Sequence, residues 1–252
     1  MLQVKRQLKI KEFLVEKGFA SVEELSDYFA VSEMTIRRDL DELDKQGFIQ
    51  RVHGGAMLND PAFFEMSVSA KSTQFTNEKE QIGKAAADFV KDGSTILIDA
   101  GTTTLEIVKN LKQKRISLIT NGLNIALELT PCPQIELFLV GGMLLKNVQH
   151  TVGPQTIAFL EDFHADIAFI GVEGVHPTTG ISVPDILDAS VKRTMMSIAK
   201  KSIVVADFSK IGRNTKAKIN PISSVDLIIT NSKADKEIIR ELKELTEVMI
   251  ID

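Results

Sequence analysis

Ser32-Glu33-Met34-Thr35-Ile36-Arg37-Arg38-Asp39-Leu40-Asp41-Glu42-Leu43 decides how the N-terminal part of this chain folds. Ile36, Leu40 and Leu43 recur at helical spacing and form one apolar stripe. Ser32 stands where an N-cap belongs, and Gly47 is the natural stop for a helix running to about Gln46. At about 100° per residue, Met34, Arg38, Asp41 and Lys45 lie opposite the stripe, with Thr35 and Arg37 on its flanks. Upstream, Ile10, Phe13 and Leu14 mark a first helix that Gly18 can end. Ser21 with Glu24 reads as a capping box opening a second helix, whose stripe is Val22, Leu25 and Phe29. Downstream, Phe48–Val52 alternates weakly and meets His53-Gly54-Gly55, a short hairpin. Helix, turn, helix and hairpin in this order define a winged helix-turn-helix.

In that motif the second helix enters the major groove and reads base edges with its N-terminal residues. Arginine grips guanine bidentately or pairs with phosphate, and a threonine hydroxyl suits either target. The candidate DNA contacts are therefore Ser32, Glu33, Met34, Thr35, Arg37 and Arg38, with Arg51 and His53 on the wing. Net charge does not announce a DNA binder: it is −4 overall and −1 over residues 1–57. The competing reading is a solvated helix in which Asp39, Asp41, Glu42 and Asp44 neutralise the arginines. The ordered sequence of capped helices and hairpin favours DNA binding.

A chain of 252 residues suits one small and one medium domain, and 44% apolar with 25% charged residues is ordinary for a globular protein. The lone Cys132 cannot form an internal disulfide, which fits a reducing cytoplasm. No signal peptide or uncharged membrane-length stretch is visible. The expected division is a DNA-binding domain over 1–57, a linker over 58–77 and a larger domain over 78–252.

From Glu78 onward, apolar strands alternate with amphipathic helices. Strands are expected at Thr95–Ile98, Ile116–Thr120, Glu136–Val140, Ile167–Val172, Ser202–Ala206, Asp226–Thr230 and Glu247–Ile251. This alternation implies an α/β fold with a mainly parallel sheet covered on both faces. Asp99-Ala100-Gly101-Thr102-Thr103-Thr104 follows the first strand and opens a helix. Free amides, hydroxyls and the helix dipole suit it to a phosphate, although a threonine-rich cap without a ligand reads the same. Asn121 either hydrogen-bonds a ligand hydroxyl or caps the next helix. Gly141-Gly142 either admits a ligand or makes a turn. Lys210, flanked by Asp207 and Ser209, is a candidate counter-charge for phosphate. His150, His164 and His176 accompany no metal-ligand pattern.

The run from Ser32 to Asp41, with Gly47 and Arg51-Val52-His53-Gly54-Gly55-Ala56, resembles the signature of the DeoR-type repressors. The resemblance covers nearly the whole chain. It implies that Thr35, Arg37 and Arg38 face an operator in double-stranded DNA. It also implies a C-terminal sensor of sugar-phosphate isomerase type, similar to ribose-5-phosphate isomerase. There the loop Asp99, Gly101, Thr102, Thr103 and Thr104 holds phosphate, while Asn121, Gly141, Gly142 and Lys210 line the pocket, with Glu173, Asp185 and Lys192 also candidates. Aligned on Asp207–Lys210, the isomerase's catalytic glutamate falls on Lys192, and its acidic turn keeps only Glu173. The resemblance therefore implies binding without turnover, no cofactor, and a homo-oligomer (dimer or tetramer) released from DNA by a phosphorylated sugar. One departure is Asp188-Ala189, where the family usually has Glu-Ala.

Overall fold

The computed structural model describes residues 3–17, 19–45, 48–52, 54–58 and 68–252, which divide into two compact units with the chain boundary between Lys71 and Ser72. Gly18, Gly47 and His53 lie outside the described residues.

The first unit holds α1 (Gln3–Lys17), β1 (Phe19–Ser21), α2 (Val22–Phe29), α3 (Glu33–Lys45), β2 (Ile49–Val52) and β3 (Gly55–Leu58). Ile10, Leu14, Leu25, Ile36, Leu40, Leu43 and Ile49 form its fully buried core. The Ser21 hydroxyl caps α2 by accepting from the Glu24 amide at 3.0 Å. The Glu24 carboxylate does not complete a capping box; it pairs with Lys17 at 2.6 Å. Ser21 instead belongs to β1, opposite Gly55. The β2–β3 hairpin expected from sequence is present, and β1 pairs with β3 to extend it to a three-stranded sheet, β1-β3-β2. Three residues are too few to show alternation, so β1 is silent in the sequence. Ala30 closes α2 in the left-handed region (φ 50°), and the Ser26 hydroxyl donates to the Val31 carbonyl at 2.6 Å, which fixes the turn into α3.

Within the segment read as linker, α4 (Val68–Ser72) forms one helical turn. The second unit then holds α5 (Thr76–Ala87), β4 (Thr95–Ile98), α6 (Thr102–Lys109), β5 (Ile116–Thr120), α7 (Leu123–Leu129) and β6 (Ile135–Leu139). Next come β7 (Met143–Leu145), β8 (His150–Val152), α8 (Pro154–Glu161), β9 (Ala165–Gly171), β10 (Gly174–His176) and β11 (Gly180–Val183). The unit ends with α9 (Ile186–Ser197), β12 (Ala199–Val205), β13 (Ala217–Asn220), β14 (Leu227–Asn231), α10 (Lys236–Lys243) and β15 (Glu247–Ile251).

All seven strands expected from sequence lie in one sheet, ordered β15-β14-β12-β9-β4-β5-β6 and parallel throughout. Successive side chains supply opposite cores. Leu97, Ile119, Ala168, Val204 and Ile228 face one way, while Ile96, Ile98, Leu118, Phe169 and Ile203 face the other. The hairpin β7-β8, helix α8 and the small antiparallel sheet β10-β11-β13 were not anticipated. No helix among the described residues is long and apolar enough to cross a membrane.

α5 and α6 approach closely at Gly83, where a Cβ would fall 2.5 Å from Glu106 Cβ and 2.8 Å from the Ile107 nitrogen. Alanine normally stabilises a helix interior over glycine by about 1 kcal/mol. Here overpacking reverses the sign. Gly83→Ala is expected to lower unfolding free energy by about 1–3 kcal/mol in urea titration.

Candidate DNA interface and effector site

α3 presents the charged face that its spacing predicts. Glu33, Met34, Arg37, Arg38 and Asp41 are exposed, Met34 by 71%. The Ser32 hydroxyl accepts from the Thr35 amide at 3.3 Å and lies 2.9 Å from the Thr35 hydroxyl, so both hydroxyls sit at the helix start. Arg37 pairs with Glu33 at 3.0 Å across one turn. Arg38 is exposed and borders a cleft of about 130 Å³ shared with Gln3, Met34 and Thr35.

Two charged residues sit elsewhere than the sequence suggests. Asp39, read as part of a solvated acidic face, is 1% exposed and forms an ion pair with Arg6 of α1. Arg51, expected to reach outward from the wing, turns back. Its guanidinium donates to Asp41 at 3.0 Å and to the Arg37 carbonyl at 3.1 Å, and its amide donates to Asp44 at 3.2 Å. Arg51 thereby fastens β2 to the exposed side of α3.

In the second unit the chain leaves β4 toward β5 and β6, then returns to β4's other side with β9. The carboxyl ends of β4 and β9 therefore flank the topological switch point, where open α/β sheets bind ligands. Asp99 sits there, 1% exposed. Its Oδ2 accepts from the Gly171 amide at 2.9 Å and from the Lys192 ammonium, so one carboxylate ties β4, β9 and α9 together. Lys192 also lies 3.8 Å from Asp188, one helical turn earlier. His150 Nε2 lies 3.3 Å from the same Asp188 oxygen, both residues being 2% exposed.

Gly101 is the N-cap of α6 and offers no side-chain cap, so the first-turn amides, just beyond the carboxyl end of β4, have none. Thr102 and Thr103 are nearly buried. The Thr104 hydroxyl donates to the Asp99 and Gly101 carbonyls at 3.0 and 3.2 Å, which assigns it to shaping the loop. Asn121 donates from Nδ2 to the Thr151 carbonyl at 2.8 Å. The Gly141 carbonyl accepts from the Thr156 hydroxyl at 2.8 Å, and a Cβ at Gly142 (φ +147°) would collide with that hydroxyl. Gly142 is thus required by its turn against α8.

Lys210, expected to face phosphate, pairs with Glu173 at 2.7 Å. Asp207 and Ser209 do not assist it: Asp207 caps its own turn through the Ser209 amide at 2.9 Å. Asp185 is the N-cap of α9, accepting from the Leu187 and Asp188 amides at 2.7 and 3.0 Å. The sequence gives no sign of the His150–Asp188 contact. Only the four-residue spacing of Asp188 and Lys192 was there to be read.

A winged head with an arginine-bearing exposed helix, joined to a parallel sheet with an uncapped helix start at its switch point, defines a two-part, DNA-binding transcription regulator. Residues 6–62 match the DeoR-like helix-turn-helix domain and residues 74–232 the DeoR C terminal sensor domain. The chain belongs to the DeoR family. It is 34% identical to the HTH-type transcriptional regulator GlpR of Haloferax volcanii, covering 100% of this chain and 98% of that one. It is 33% identical to the glycerol-3-phosphate regulon repressor of Escherichia coli, over 97% of each chain. Among solved structures, ribose 5-phosphate isomerase A of Methanocaldococcus jannaschii is 20% identical with a TM-score of 0.41, over 54% of each chain.

Lys192 is the cation between two buried carboxylates, and removing one partner of such a group leaves uncompensated charge. Lys192→Met is expected to cost about 3–5 kcal/mol of stability, read from denaturant unfolding.

Proposed function

We propose that this protein represses carbohydrate-metabolism genes, binding an operator through α3 and the wing, and is released by a phosphorylated sugar held at the carboxyl edge of the sheet. The observation that carries the sensor half is the start of α6. Its amides lack a side-chain cap and follow directly on β4 at the switch point, where a dianionic phosphate would gain both hydrogen bonds and the helix dipole. Lys210 and Lys192 are already matched to Glu173 and Asp99, so the anion is held chiefly by backbone amides. The name of the Escherichia coli relative, a repressor of a glycerol-3-phosphate regulon, supports a phosphorylated metabolite.

On this reading the protein works as a cytoplasmic homo-oligomer whose paired heads meet repeated half-sites about one helical turn apart. Effector binding need favour the released arrangement by only about 1–3 kcal/mol. The sensor binds without turnover. Where the isomerase resemblance expects a catalytic glutamate stands Lys192, an ammonium between Asp99 and Asp188. A coupled isomerase assay on pentose and hexose phosphates is expected to show no activity above buffer.

Thermal melting of the full chain against a panel of sugar phosphates tests the sensor, since a ligand of the folded state raises the melting temperature. A panel that shifts nothing removes the proposal. Gly101→Val places bulk against Thr104 Oγ1, 2.9 Å from the ideal Cβ, and is expected to abolish that shift while operator binding persists in a gel shift. Arg38→Ala is expected to weaken operator binding and to reduce the slope of log affinity against log salt by about one unit. An unchanged slope takes Arg38 out of the interface.

A further inference from the structure

α3 carries an apolar residue where its packing has no use for one. Met34 is 71% exposed, stands in the first turn of the helix and is not part of the core of its unit. The other exposed residues of α3 are Glu33, Arg37, Arg38, Asp41, Asp44 and Lys45, all charged. Ile36, Asp39, Leu40 and Leu43 define the buried face. At about 100° per residue Met34 lies almost diametrically opposite the centre of that face, with Arg38 one turn further along the same ridge. A single exposed apolar side chain is common on protein surfaces and says nothing by itself. This one occupies the turn from which a recognition helix reads base edges.

Its neighbours are largely committed to one another. Glu33 holds Arg37 at 3.0 Å, Asp41 holds Arg51 at 3.0 Å, and the Thr35 hydroxyl lies 2.9 Å from that of Ser32. Met34 and Arg38 share the border of one cleft of about 130 Å³. A thioether is at best a weak acceptor and donates nothing, so Met34 does not tell the nitrogens and oxygens of one base edge from those of another. The feature of the major groove that an apolar side chain does distinguish is the C5-methyl group of thymine. Methionine, unbranched and with three rotatable bonds, adapts its path to such a group. Four residues advance the helix by about 6 Å, and base pairs stack about 3.4 Å apart. The bases within reach of Met34 and of Arg38 are therefore about two base pairs apart or closer.

We propose that Met34 is a specificity-determining residue of the DNA-binding head, reading a thymine by apolar contact with its C5-methyl group within about two base pairs of the base that Arg38 meets. The inference rests on α3 lying in the major groove, as proposed above. Packing the methyl group against the thioether takes apolar surface of both partners out of water, an effect of about fourfold in affinity for one methyl-sized group. Cytosine in the same place lacks the methyl group and turns an amino group toward a side chain that cannot accept from it well, so its desolvation adds to the discrimination. Lysine or arginine at this position would strengthen binding to any duplex through phosphate, whereas methionine adds affinity only where the methyl group is present.

Selection of duplexes by the full chain from a randomised pool supplies the probe. Each thymine of one selected half-site is then replaced in turn by deoxyuridine, which deletes the C5-methyl group and keeps the base pair, and affinity is read by competition gel shift. One thymine is expected to show a loss of about fourfold with the wild-type protein. Met34→Ala is expected to bind the thymine duplex as weakly as the wild type binds the deoxyuridine duplex, and to lose nothing further on replacement at that thymine. Met34→Gln, similar in length but bearing an amide, is expected to select a different base pair at that position and the same bases around it. Selected duplexes in which no thymine is sensitive overturn the specificity role and leave DNA binding standing. So does a Met34→Ala protein that keeps the fourfold loss, or a Met34→Gln protein that selects the same sequence. A wild-type protein that enriches no duplex rejects the operator reading itself and this inference with it. Met34 lies outside the core, so neither substitution disturbs the packing of the head.

Discussion

The carboxylate of Asp99 is the constraint on which the sensor unit depends. It stands at the centre of the sheet, where the chain reverses its direction of growth, and holds the strand on one side and a helix from the far half of the unit. A charge this deep is tolerated only because Lys192 and a backbone amide compensate it. The same arrangement shapes the loop leading into α6, whose first carbonyl holds the Thr104 hydroxyl. One oxygen of the Asp99 side chain thus joins two strands to a helix, while the other, Oδ1, is buried without a hydrogen-bond partner among the described residues.

In the DNA-binding head an analogous pair, Arg6 with Asp39, crosses from α1 to the underside of α3. It fixes how the recognition helix rolls on its apolar stripe, which Ile36, Leu40 and Leu43 alone would leave loosely determined. The Arg51 contacts hold the opposite side of the same helix to the wing. α3 is thus clamped on both flanks.

Much of this was legible beforehand. The seven sheet strands were readable because strands buried on both faces must be runs of Val, Ile and Leu, and Thr95–Ile98, Ile116–Thr120 and Glu247–Ile251 have the bounds that pattern predicts. The loop at Gly101 was visible for the same local reason, a glycine followed by hydroxyl residues at a strand-to-helix step. The strands β1, β7, β8 and β10 were hidden because three residues carry no period. Side-chain partnerships were hidden because they are made at long range. Arg6 and Asp39 are 33 residues apart, and Lys210 meets Glu173 across 37. Charge spacing within one helix shows which residues share a face but not what the fold brings against that face.

The clamping of α3 has a consequence for how the head samples DNA. Arg37 and Arg51 rest on Glu33 and Asp41, which are themselves exposed on the face of α3 proposed above to meet a duplex. Engaging a phosphate with either guanidinium means exchanging an internal counter-ion for an external one and turning a carboxylate toward a polyanion. Such an exchange gains little on an arbitrary stretch of duplex and is favourable only where base-edge contacts add to it. On the proposed interface, the acidic partners therefore oppose adsorption to duplex that offers no base-edge contacts.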